Sequence, residues 1–185
     1  MDWGRIAKRI RVPLGFLFAA FFLWLARPEW WSLTVGSAIA LAGVSIRAIS
    51  SGHVKKNEEL ATTGPYAYTR NPLYFGSVVI AAGFALASLR WEIALALVIM
   101  FAAIYVPVIR GEERYLSEHF PNYAEYCARV PRLLPRFPRA GGQGSSRFSR
   151  ELYWKHREYN ALLGTLAVIA ALMALKVARP IWMAR

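Results

Sequence analysis

The chain has one cysteine, Cys127, which excludes an intramolecular disulfide and any cysteine metal cluster. As a lone thiol it reads as a small filler residue, not a nucleophile. His53 has no partner at ligand spacing, so no metal site is expected. There is no Walker loop, Rossmann fingerprint, zincin pair or Ser-His-Asp order. The tightest glycine spacing, Gly141-Gly142-Gln143-Gly144, has no strand before it. Acidic residues are scarce, 11 against 23 Lys and Arg, and none of the long apolar runs contains an Asp, Glu or His. That absence argues against a proton-coupled transporter, which needs ionisable groups at mid-depth. A cleavage signal is missing too: no small-x-small pattern precedes Arg27-Pro28-Glu29, so residues 1–26 read as a retained signal-anchor.

What the chain has in abundance is apolar surface. Of 185 residues, 56% are hydrophobic and 14% aromatic, too many for an ordinary soluble domain of one-domain length. Five uncharged runs account for the excess: 12–26, 30–46, 71–89, 93–109 and 160–175. A bilayer core takes about 20 helical residues, and snorkelling Arg or Lys with interfacial Trp can supply a missing turn. The expected fold is therefore all-α, a polytopic helical membrane protein of about five transmembrane helices, its first and last spans the weakest. The net charge of +12 raises the question of nucleic acid, but the basic residues collect in alternate loops and form no single face. With five spans, 17 Lys and Arg fall on the side of the N-terminus and 5 on the other. By the positive-inside rule the N-terminus is cytoplasmic and the C-terminus outside, with membrane lipids as the partner of the charge and no nucleic acid.

Within this frame, Gly36, Ala40 and Gly43 place small residues on one face of the second run, which suits close helix packing within or between chains. Arg47, one turn on, either faces a partner or wet cavity or simply snorkels. The third and fourth runs are joined only by Ser88-Leu89-Arg90-Trp91-Glu92, which forces an antiparallel hairpin. Its far ends, Arg70-Asn71-Pro72 and Arg110-Gly111-Glu112-Glu113, must then converge at one membrane depth. The approach to the hairpin, GPYAYTRNPLYFG, puts Tyr66, Tyr68, Arg70, Asn71 and Tyr74 at a helix mouth opened by Pro72. It can hold an anionic or polar ligand, or serve as an interfacial anchor. Beyond the fourth run a helix can continue through Glu112, Leu116 and Phe120 on one face until Pro121 breaks it. Arg132, Arg136 and Arg139 among Leu133, Leu134 and Phe137 read as a headgroup-level segment.

Three pieces, ELATTGPYAYTRNPLYFG, GEERYL and FPNYAEYCARVPRLLP, together resemble the isoprenylcysteine carboxyl methyltransferase and phospholipid methyltransferase superfamily of integral membrane enzymes. The family pattern runs roughly GPY-x-Y-x-R-H-P-x-Y-x-G, then E-E-x-x-L, then Y-x-x-Y-x-x-x-V-P-R, and covers about residues 47–135. Two departures stand out: the family His is Asn71 here, and residues 153–185 add a helix past the usual end of the motif. The resemblance implies a methyltransferase with S-adenosylmethionine as donor, in a cytoplasm-facing pocket at the hairpin ends. It implies Tyr68, Arg70, Asn71, Pro72, Tyr74, Gly76, Glu112, Glu113 and Arg132 as cofactor-binding residues. Arg70, Asn71 and Glu112 would be catalytic, and no metal is needed. The methyl acceptor would be apolar or lipidated: an isoprenylcysteine-type carboxylate, a phospholipid amine or a small thiol. Two other readings stay open, a sterol-reductase-like enzyme using NADPH and a non-catalytic membrane module. The expected organisation is two membrane helices in 1–50, the core in 51–138, a flexible linker in 139–150 and a C-terminal helix in 151–185.

Overall fold

The computed structural model describes residues 15, 17–55, 58–138 and 147–183, with side chains up to residue 178. Its elements are helical: α1 (17–25), α2 (Trp30–Ser51), a 3-10 turn (Gly64–Ala67), α3 (Pro72–Ser88), α4 (Trp91–Met100), a π-helical stretch (Phe101–Tyr105), α5 (Val106–His119), α6 (Tyr123–Arg129), α7 (Arg150–Lys155) and α8 (Tyr159–Met183). No strand occurs among the described residues. The chain is a helical membrane protein: Trp30–Ser51, Trp91–His119 and Tyr159–Ala178 are each long and apolar enough to cross a bilayer, and Pro72–Ser88 is a shorter apolar helix. The start of the first expected span and residues 139–146 of the expected linker lie outside the described residues.

Each boundary has a local cause. Pro28 and an extended Glu29 separate α1 from α2, and the Glu29 amide donates to Ser32 Oγ at 3.0 Å in the first turn. Pro72 opens α3, and Asn71 O accepts from Phe75 N at 3.0 Å. α3 ends at Leu89, whose φ of 52° turns the chain straight into α4. Pro121 stops α5, and Ser149 caps α7 by accepting from Leu152 N at 3.3 Å.

The glycine stripe packs inside the chain. A Cβ built on Gly36 would lie 2.5 Å from Gly83 O, and one on Gly43 would lie 2.7 Å from Gly76 O, so α2 and α3 touch backbone to backbone. Around this pair, Phe22, Ala26, Leu33, Ala87, Ile93 and Leu172 form a core drawn from α1, α2, α3, α4 and α8. At that end Lys176 Nζ meets Glu29 Oε2 at 2.5 Å, and Arg27 N donates to Ser88 O at 2.8 Å. At the opposite end His156 Nδ1, just before α8, lies 3.1 Å from Ser51 O at the end of α2. α8 therefore runs the full length of the bundle and does not lie across its surface. Exposed Trp24, Trp30, Trp31 and Trp91 ring one end and Trp154 stands at the other, as aromatic side chains do at the two membrane interfaces.

Candidate functional site

The hairpin formed by α3 and α4–α5 returns its open ends to the same depth. Asn71 Nδ2 lies 3.5 Å from Glu113 Oε1, and Arg70 Nη2 lies 3.4 Å from the same oxygen. Behind them the segment 130–138 is stitched to the loop before α3. Arg70 N donates to Pro131 O at 2.9 Å, Arg136 N to Tyr68 O at 3.0 Å and Tyr126 OH to Tyr66 O at 2.7 Å. Thr69 Oγ1 shares its proton between Leu133 O and Arg132 O, at 2.9 and 3.2 Å. Asn71 Nδ2 also donates to Arg132 O at 2.9 Å. Glu113 Oε2 takes Arg132 Nη2 at 2.8 Å, so this one carboxylate fastens three parts of the chain.

Between these pieces lies a cavity of about 730 Å³. Of the residues expected from the sequence, Arg70, Asn71, Pro72, Tyr74, Glu112 and Glu113 line it. Three others do not. Tyr68 turns away and its ring packs on Phe137, centroids 5.1 Å apart. Gly76 is buried under α2, where a Cβ would meet Arg47 Cγ at 2.7 Å, so its role is helix packing. Arg132 reaches Glu113 from the outer side and is half exposed. The family-motif residue Asn71 uses its amide nitrogen on Arg132 O and Glu113, tying the loop before α3 to the segment 130–138 and to α5.

Other lining residues fall outside the expected cofactor-binding set. Tyr66 belongs to the GPY motif and is buried against the cavity. Tyr105 comes from the π-helical stretch, which adds a residue to one turn; its ring meets Tyr74 edge-on at 5.6 Å. Glu158 comes from the turn before α8. Its carboxylate takes Arg47 Nε at 3.1 Å and Nη2 at 2.8 Å, while Arg47 Nη1 donates to Ser77 Oγ at 2.6 Å and Leu73 O at 3.2 Å. Arg47 thus faces a partner and a cavity and does not snorkel.

The charges around the cavity are nearly all matched. Arg47 pairs with Glu158, Lys55 with Glu59 at 3.3 Å and Arg70 with Glu113. Glu112 is exposed and has no hydrogen-bond or ion-pair partner among the described residues, and the buried Arg70 Nε has no acceptor. One carboxylate without a partner, Glu112, is therefore presented to whatever enters. Burial, followed by the nearby Tyr126 and the negative charge of Glu112, raises the Tyr66 phenol well above its usual pKa. Burial also raises Tyr123 and Tyr126. All three hold their protons at neutral pH and can donate hydrogen bonds.

Residues 14–123 match the phospholipid methyltransferase family. The chain is 30% identical over 144 residues to the cobalt-zinc-cadmium resistance protein CzcN of Cupriavidus metallidurans, covering 73% of this chain and 66% of that protein. It is 39% identical over 82 residues to the nickel-cobalt-cadmium resistance protein NccN of Alcaligenes xylosoxydans xylosoxydans, covering 44% and 38%. A protein-S-isoprenylcysteine O-methyltransferase of Schizosaccharomyces pombe is 31% identical over 103 residues, covering 55% and 44%. The chain thus spans less than two thirds of the length of each of these relatives. No solved structure matches it.

Proposed function

Because the chain belongs to the phospholipid methyltransferase family, we propose that it is a membrane methyltransferase that takes its methyl group from S-adenosylmethionine. The observation that carries this reading is the pairing of charges in the cavity, which leaves the Glu112 carboxylate without a partner among the described residues. A donor of this class has a sulfonium cation, an α-amino group and a carboxylate. Glu112 suits the cationic groups, and the Arg70 guanidinium, which lines the cavity, suits the carboxylate. The cavity volume of about 730 Å³ falls within the usual range for cofactor sites, about 300–1,000 Å³.

When bound, the donor would supply an electrophilic methyl carbon for in-line displacement, with the neutral sulfide as leaving group. The chain's own contribution is placement and exclusion of water. Glu113, Arg132 and Asn71 fix the loop that carries Arg70. Tyr66, Tyr74 and Tyr105 furnish apolar faces beside polar groups. A carboxylate or thiolate acceptor needs no general base, and no side chain is assigned that role. The acceptor proposed is apolar or lipid-like, entering where the cavity meets the bilayer. The cavity end carries the basic loops, so it is assigned to the cytoplasm. Cysteines placed at Ser117 and at Trp91 in a Cys127→Ala background test this, since only the second should react with an impermeant maleimide on intact cells.

Calorimetry on the detergent-solubilised protein tests the donor. S-adenosylmethionine should bind and NADPH should not, and Glu112→Gln should weaken donor binding about tenfold or more by removing a charge-assisted bond. Binding of NADPH without binding of the donor would replace this reading with a reductase.

A further inference from the structure

Glu158 lies 35 residues beyond the last residue of the family match, on the segment that leads into α8, yet it forms part of the cavity wall. Its approach is held at several points. Ser149 N donates to Gly52 O at 2.9 Å, Phe148 packs on Gly52, and His156 Nδ1 lies 3.1 Å from Ser51 O. Arg157, immediately before it, has φ 53°, a left-handed conformation that a non-glycine residue adopts only when its surroundings enforce it. The result is a side chain only 10% exposed, bound to Arg47 by two parallel N–H···O bonds. Arg47 is itself anchored on α3 through Leu73 O and Ser77 Oγ, and cannot withdraw from the cavity without breaking those contacts.

We propose that Glu158 is a specificity-determining residue: it cancels the charge of Arg47, so that this guanidinium does not oppose a cationic ligand and the cavity selects a cationic donor over its uncharged sulfide product. The inference rests on the sulfonium reading above and adds to it a residue from outside the matched region. Without Glu158, the guanidinium of Arg47 would face the same space as the sulfonium. Like charges sharing one cavity at an effective dielectric near 20 repel enough to change an affinity roughly tenfold.

The test is calorimetric binding of S-adenosylmethionine and of S-adenosylhomocysteine to the detergent-solubilised full chain. The variants are Glu158→Gln and the double variant Arg47→Gln/Glu158→Gln, with a thermal melt of each. The single change, nearly isosteric, should weaken donor binding roughly tenfold and leave the sulfide product much less affected. The double variant removes both charges and should recover donor binding, although it also loses the clasp between α2 and α8. A purely structural role predicts the reverse, with the double variant no better than the single and both ligands weakened alike. Either of those results overturns the proposal. If the unaltered protein binds neither ligand, the sulfonium reading itself fails, and the two failures are distinguishable.

Discussion

Position 71 is where the chain departs from its family pattern, and the structure gives the change a calculable cost. Asn71 Nδ2 donates to Arg132 O at 2.9 Å and approaches Glu113 Oε1 at a marginal 3.5 Å. Asn71→Leu removes both, but orphans neither acceptor. Arg132 O keeps Thr69 Oγ1 at 3.2 Å, and Glu113 keeps Arg132 Nη2 at 2.8 Å and Arg70 Nη2 at 3.4 Å. The penalty for a buried, unpaired acceptor therefore does not arise. The loss should be that of one neutral hydrogen bond, about 1 kcal/mol, or about fivefold in donor affinity when expressed through the placement of Arg70. Asn71→His should do better than Asn71→Leu, since a neutral imidazole has one N–H for Arg132 O. Its activity should fall only below about pH 6.5, where protonation converts the other ring nitrogen from acceptor to donor. Donor affinity and turnover of the three proteins across pH 6 to 9 measure this. Unchanged affinity in Asn71→Leu would mean that the loop is held without this amide. A loss of a hundredfold or more would mean that Asn71 touches the reacting groups and is not a positioning residue.

Two further outcomes follow from packing and burial. Gly83→Ala should destabilise by about 1–3 kcal/mol, the usual cost of overpacking, because its Cβ would sit 2.5 Å from Gly36 O and 2.6 Å from Ala40 N, which are backbone atoms of α2. Gly164→Ala on α8 meets nothing within 4 Å and should instead hold or raise the melting temperature in detergent; equal effects at both sites would refute the backbone contact. Burial raises the phenols of Tyr66, Tyr123 and Tyr126 above the ordinary value of 10.0, so above that pH the unfolded chain releases protons that the folded chain retains. Stability should be insensitive to these groups at neutral pH and fall as pH climbs past 10.0, with Tyr66→Phe flattening the fall in a melting series; an unchanged slope would place that phenol in water.

Helices and their meeting point were legible from the sequence because both depend on short-range information. Uncharged runs announce the membrane helices, and the five-residue link between the third and fourth runs forces the hairpin that brings Asn71 to Glu113. The glycines of α2 were readable as a close-packing face, but their partner was not, since Gly76 and Gly83 show no mark that ties them to Gly43 and Gly36. The same ambiguity misplaced Gly76 in the pocket: a motif reports that a glycine is required, not whether a ligand or a helix needs the space. Tyr68 and Arg132 sit in the motif for a comparable reason. Tyr68 packs the loop on Phe137 of the segment 130–138, and Arg132 ties that segment to Glu113 of α5.

Arg47 and Glu158 mark the limit of that kind of reading. An arginine near the end of an apolar run signals that something compensates it, yet the compensating carboxylate lies 111 residues away. Nothing around Glu158 in sequence distinguishes it from the charged residues near it, Glu151, Lys155 and Arg157. Only the left-handed turn at Arg157 and the contacts of His156 and Ser149 with the end of α2 aim it inward. A site assembled from a motif and from a helix outside that motif has its electrostatics set partly by residues the motif does not contain. The charge balance of the cavity is therefore a property of the whole bundle, because the turn before α8 brings the carboxylate that pairs with Arg47. Relatives that share the motif but lack this helix would need another anion near Arg47, or another residue in its place, to present the same field to a cationic donor.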